Sequence, residues 1–162
     1  MLDKEIKTLM NDQINKEMYS SYLYLNIANH YSEKGLNGFA QWFRKQATEE
    51  LEHAMKFIDY MYEQGEKVVL ETIEAPKYEF DDYKAPLVLQ LEHEKYVTSL
   101  IYKIYAASLQ ANDYRTTLFL NWFVTEQQEE EKHSQDLITK FELFATDSKG
   151  LYQLDKELSE SR

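Results

Sequence analysis

Long stretches in which apolar side chains return every three or four residues constrain this chain more than any other feature. From about Asp3 to Glu33 the recurring positions are Ile6, Met10, Ile14, Glu17, Ser21, Tyr24, Ala28 and Tyr31, and the run stops at Gly35. A second run, from Asn37 as its expected N-cap to Gln64 with Gly65 behind it, carries Phe39, Phe43, Ala47, Glu50, His53, Ala54, Phe57 and Met61. The third opens near Lys84 with Pro86 in its first turn and carries Leu87, Leu91, Glu94, Thr98, Ile101, Tyr105 and Ser108. Asn112 and Asp113 then cap a fourth, which reaches Ala145 with Phe119, Phe123, Gln127, Glu130, Ser134, Leu137 and Phe141 on its stripe. This period is that of amphipathic α-helices, and 4 Gly and 2 Pro in 162 residues leave few breaks for a strand-rich fold.

The expected architecture is therefore all-α: helices at about 3–33, 37–64, 84–111 and 113–145, with a short fifth at 151–159. Residues 66–83 lose the period, contain Pro76 and mix β-branched with acidic residues, so they are expected to run extended. Two antiparallel helix pairs joined by one long crossover form a standard four-helix bundle, and residues 1–162 are read as one such domain.

Charge narrows the function. The net charge is −11, from 29 acids against 18 bases, and no basic cluster could track a phosphate backbone, which argues against nucleic acid. With no cysteine, disulfides, thiolate-held metals and a cysteine nucleophile are excluded, so any metal must use O and N ligands. The start, MLDKEIKTLM, lacks an apolar leader, and no run of 18 apolar residues occurs. The expectation is a soluble cytoplasmic protein with no membrane partner.

Each of the four buried stripes carries an acid near its middle: Glu17, Glu50, Glu94 and Glu130. The step from Glu17 to Glu50 is 33 residues (50 − 17), and so is the step from Glu94 to Gln127 (127 − 94). Each half of the chain thus presents one Glu and then an i, i+3 pair, Glu50 with His53 and Gln127 with Glu130. Side chains three apart share a helix face, so each pair can grip one object from one side. Four buried carboxylates with no Lys or Arg on their stripes would repel each other and carry a large desolvation penalty. Two divalent cations resolve this, and a carboxylate set with one imidazole suits iron or manganese, though zinc would also bind. Glu residues from two helices plus i, i+3 motifs from the other two are the general signature of carboxylate-bridged metal bundles. His30, His93 and His133 lie off this set and are read as surface or structural residues.

Two further groups stay open on residues alone. Glu49, Glu126 and Glu129 flank the centre and are either a solvated acidic face or part of a second site. Tyr24, two turns from Glu17 on the same face, is either core packing with its hydroxyl satisfied or a hydrogen-bond partner and electron donor at the metals.

The order Glu17, EELEH with Glu50 and His53, Glu94, and EQQEEE with Gln127 and Glu130 resembles the prokaryotic non-haem ferritins, and the likeness runs on to the C-terminal GLYQLDKELS. The resemblance implies a ferritin-like fold and a ferroxidase that oxidises Fe(II) to Fe(III) with dioxygen or peroxide, storing mineral inside a hollow shell of twenty-four subunits. It also implies site roles. Glu17, Glu50 and His53 would hold one iron, Glu50 would bridge to a second held by Glu94 and Glu130, and Gln127 and Tyr24 would stand beside them. Glu49, Glu126 and Glu129, with Glu130, match a third iron site. Haem is not expected, because Leu51 stands where bacterioferritins carry the haem-ligating methionine and the second half lacks their histidine. The rival readings are a metal buffer without oxidase turnover and a helical structural bundle without metal.

Overall fold

The helices end where the backbone can be satisfied, and that sets the frame. In the computed structural model, which describes residues 1–161, they are α1 (Lys4–Glu33), α2 (Asn37–Glu63), α3 (Ala85–Gln110), α4 (Tyr114–Phe144) and α5 (Ser148–Glu160). Three of the four long helices leave their C-terminus through the same motif. Gly35 (φ 78°), Gly65 (φ 72°) and Asn112 (φ 55°) each adopt the left-handed region. The next residue's N–H then reaches back: Leu36 to Tyr31 O, Glu66 to Met61 O and Asp113 to Ser108 O, at 2.9, 2.9 and 2.8 Å. Glycine takes this conformation without a Cβ penalty, and Asn is the next most tolerant residue.

Asp113 starts the fourth helix as expected. Its Oδ1 accepts from Thr116 N (3.1 Å) and its Oδ2 from the Thr116 hydroxyl (2.6 Å). That hydroxyl oxygen also lies 2.9 Å from Tyr60 Oη, joining the α3–α4 turn to α2. Asp113→Ala is expected to destabilise the protein by about 1–2 kcal/mol, whereas Asp113→Ser should keep most of that stability, read as shifts of the thermal midpoint.

At α2 the expectation is corrected. Asn37 is the first helical residue; the N-cap is Leu36, which supplies no side-chain bond. The donor at Phe39 N is instead satisfied by Asp155 Oδ1 of α5, at 3.0 Å. At Gly38 the two helices meet so closely that a Cβ would lie 1.7 Å from the Asp155 carbonyl oxygen. The fifth helix also begins three residues earlier than its pattern indicates, because Asp147 caps it through Gly150 N (2.7 Å).

Residues 66–80 run without helix or strand along α1, held there by asparagine amides. Asn11 both donates to Val69 O and accepts from Val69 N, at 2.8 Å each. Asn15 donates to Glu71 O and Thr72 O, and Asn26 to Tyr78 O. These amides replace the neighbour that an extended chain otherwise lacks. A crossover of this length lets α3 start at the same end as α1, so that all four long helices share one core.

That core is split. One apolar cluster gathers Leu23, Ile27, Tyr31, Phe39, Phe43, Leu87 and Leu137, with Leu154 and Leu158 of α5. The other gathers Ile6, Met10, Ile14, Phe57, Met61, Val97, Ile101, Leu120 and Phe123. Along each of the four helices the acidic position falls between the residues of the two clusters. Among the described residues no helix is long and apolar enough to cross a membrane.

Candidate metal centre

Because each stripe faces the bundle axis, its mid-helix acid does too. Glu17, Glu50, His53, Glu94, Gln127 and Glu130 are all buried, none more than 3% exposed. They form two ligand groups, Glu17 with Glu50 and His53, and Glu50 with Glu94 and Glu130; within each, one ligand atom per residue lies within 4.8 Å of the others. Glu50 belongs to both. Glu49, Glu126 and Glu129 belong to neither.

His53 is oriented from both sides. Its Nδ1 lies 3.2 Å from Glu50 Oε2 and 3.9 Å from Glu17 Oε2, while Nε2 faces Glu126 Oε1 at 3.6 Å. A carboxylate behind one ring nitrogen holds the other nitrogen's lone pair toward a metal. Trp122 and Phe123 pack edge-on against the ring, 5.5 and 6.0 Å away between centroids. Glu126 therefore sits directly behind the centre, whereas Glu129 is exposed.

The remaining oxygens divide into satisfied and unsatisfied ones. Glu17 Oε1 accepts from Gln13 Nε2 at 2.9 Å, but buried Oε2 finds no donor among the described residues. Glu94 is held at both ends: Oε1 accepts from the Tyr24 hydroxyl and Oε2 from Gln127 Nε2 (3.1 Å). The buried Tyr24 hydroxyl is thus satisfied by a residue of the second ligand group. His93, next in sequence to Glu94, turns away to Ser20 Oγ at 2.7 Å. Burial, helped by the Lys16 charge, lowers its pKa to about 4, so a neutral structural imidazole stands here.

The electrostatics show what the pocket lacks. Burial raises the Glu50 carboxyl well above the usual range, and Glu94 and Glu17 push it the same way. Burial raises Glu94 too, against the opposing hydrogen bonds from Tyr24 and Gln127. Glu130 rises to about 9, by burial first and then by Glu94, Glu49 and Glu126. Burial acts to lower His53, but Glu126, Glu17 and Glu94 outweigh it and the net shift is upward. Protons are what these groups recruit when no other positive charge is present. A pair of divalent cations would serve better, with the unsatisfied Glu17 Oε2 as a ready ligand and an all-oxygen set plus one imidazole as the donor chemistry.

Three residues around this centre, Gln13, Thr98 and Glu131, are assigned no role by the stripe pattern. Gln13 sits four residues before Glu17 on the buried face of α1, so its spacing could have marked it. Thr98 and Glu131 come from different helices and meet only through their register, with Thr98 Oγ1 2.8 Å from Glu131 Oε2.

Comparison with known proteins agrees with this frame. A Ferritin-like domain model matches residues 7–144. A probable bacterial non-heme ferritin-like protein of Haemophilus influenzae is 37% identical over 158 residues, covering 98% of this chain and 96% of that protein. The bacterial non-heme ferritin of Staphylococcus epidermidis is 35% identical over 159 residues, with 98% and 96% covered. Among solved structures, an open-pore ferritin from the archaeon Archaeoglobus fulgidus superimposes with a TM-score of 0.97 at 40% identity, covering 100% of both chains. A closed form of that ferritin made by site-directed mutagenesis gives 0.96, also at 40% identity. With matching helices and near end-to-end similarity, this chain belongs to the ferritin family.

Proposed function

We propose that this protein stores iron and is a ferroxidase, oxidising Fe(II) at the paired ligand groups and depositing Fe(III) mineral inside a shell of twenty-four copies. The observation that carries the reading is the sharing of Glu50 between two buried ligand groups, which suits two metal ions held side by side. Glu17, Glu50 and His53 hold one Fe(II); Glu50, Glu94 and Glu130 hold the other. Two Fe(II) give up two electrons, and dioxygen taking both with two protons leaves as hydrogen peroxide; with peroxide as oxidant, the same two electrons and two protons yield water. Carboxylates favour the products because they stabilise Fe(III) over Fe(II), and they can shift between one and two bound oxygens as iron leaves.

Tyr24 and Gln127 hold the two Glu94 oxygens, and Glu126 holds the His53 ring. Glu49, Glu126 and Glu129, with Glu130, form a flanking third iron site; the support for it is the place of Glu126 behind His53 and the influence of Glu49 on Glu130. Leu51, 46% exposed on α2, offers no haem ligand.

His53→Ala and Glu94→Ala are expected each to slow Fe(II) oxidation by about 10- to 100-fold in stopped-flow absorbance under limiting iron. Both variants turning over at the parental rate would overturn the ferroxidase reading and leave a buffer. Light scattering should find a particle of about twenty-four chains that retains mineral after aerobic loading, and a monomer or dimer as the sole species would remove the storage role.

A further inference from the structure

The Gln127 amide is held by a chain of hydrogen bonds that continues beyond the ligand groups. Its Nε2 lies 3.1 Å from Glu94 Oε2, 3.2 Å from Glu94 O and 3.2 Å from Thr98 Oγ1. The hydroxyl of buried Thr98 has in turn two acceptors within reach, Glu94 O at 2.9 Å and Glu131 Oε2 at 2.8 Å. It has one proton to give. A carboxylate draws that proton more strongly than a peptide carbonyl already engaged within the helix, so Thr98 donates to Glu131 and its lone pairs are left for Gln127.

The direction of the chain then follows. Glu131 accepts from Thr98, Thr98 accepts from Gln127, and Gln127 donates its other N–H to Glu94 Oε2. With the amide reversed, its oxygen would face the Glu94 carboxylate and the Glu94 carbonyl, both acceptors, and repulsion would swing the carboxylate. The amide's orientation matters because it holds Glu94 Oε2, while Tyr24 holds the opposite oxygen.

We propose that Thr98 and Glu131 are positioning residues for the second metal: through Gln127 they set which way the Glu94 carboxylate faces, and so how tightly the Glu50, Glu94 and Glu130 group holds a divalent cation. This rests on the two-metal reading above. Neither residue belongs to a ligand group, and the group built on Glu17 and His53 is not touched by the chain.

Co(II) is a suitable probe, because its visible absorption counts bound ions without turnover. The parent is expected to bind two Co(II) per chain at these groups, and Glu94→Ala one. Thr98→Val, of nearly the same shape, should weaken the second Co(II) by about 10-fold or more and leave the first within about 2-fold, as loss of an outer-shell partner does elsewhere. Thr98→Ser should restore the second affinity, which a merely steric role would not require. Glu131→Leu should weaken the same ion, and adding it to Thr98→Val should weaken it little further, since both act through one chain. Parental binding of the second ion by Thr98→Val, equal loss of both ions, no rescue by serine, or additive effects in the double variant would each overturn the proposal. If Glu94→Ala loses one Co(II) while Thr98→Val does not, the positioning role fails and the two-metal reading stands; if the parent binds no Co(II) at these groups, both fall.

Discussion

Glu50→Gln is expected to lower Fe(II) oxidation by at least about 100-fold while leaving the metal-free protein as heat-stable as the parent or more so at pH 8. Loss of an outer-shell partner alone typically lowers affinity or activity by about 10- to 100-fold, and Glu50 stands in both ligand groups at once. The opposite effect on stability has the same origin. Glu50 is 1% exposed, burial raises its carboxyl well above the usual range, and three further glutamates push it upward. A neutral amide of the same shape removes that repulsion and keeps the packing. Stopped-flow oxidation and a thermal scan of metal-free protein check both halves. A variant that lost activity together with several degrees of stability would show that Glu50 serves the fold and not the metals.

The second large effect is on pH. Glu50, Glu94 and Glu130 hold their protons more tightly in the folded chain than in the unfolded one. Their contribution to stability is therefore complete below the unfolded carboxyl value near 4.5 and is lost as pH climbs through each raised folded value, which for Glu130 is about 9. The raised His53 acts in the same sense above its unfolded value of 6.5. His93 acts oppositely, since its folded value near 4 makes its contribution complete above 6.5 and lost on acidification toward 4. Glu126, held low first by its contact with His53, likewise loses its contribution only as pH falls below the ordinary carboxyl range.

Between about pH 6.5 and 9 the shifted site groups therefore pull one way, and the thermal midpoint of the metal-free protein should fall steadily. Zn(II), which has no redox chemistry of its own, should flatten or reverse the slope, because bound cations replace the protons. A pH-stat should record at least one proton released per chain on addition at pH 7.5. Equal slopes for the parent and for Glu50→Gln without metal would show that the site does not set the trend.

The buried carboxylate layer was legible in the sequence because a buried acid at helical spacing is a local signal. Glu17, Glu50, His53, Glu94 and Glu130 each interrupt an apolar stripe, and the repeated step of 33 residues puts them at one level once the helices pack. Tyr24 could be placed on the right face, but its bond to Glu94 required the register of α1 against α3. Thr98 with Glu131, and Ser20 with His93, are ordinary helix residues until two helices are docked. The helix ends at Gly35, Gly65 and Asp113 were legible for the same local reason as the acids, whereas Asn112, expected to cap α4, instead takes the left-handed turn that ends α3. The start of α2 was not: Asn37 has a capping side chain in the right neighbourhood, yet the acceptor comes from Asp155, 116 residues beyond Phe39.

That distance has a meaning in time as well as space. Chains grow from the N-terminus at about 5–20 residues per second, so on the order of ten seconds of synthesis separates Phe39 from Asp155. Every residue of the two ligand groups, the last being Glu130, has been added before Asp155 exists. A growing chain thus acquires its whole layer of buried carboxylates while the opening turn of α2 still gives its donors to water. The last helix made is the one that finishes the second, and a chain arrested between Glu130 and Asp155 would carry every ligand on a bundle still open at one corner.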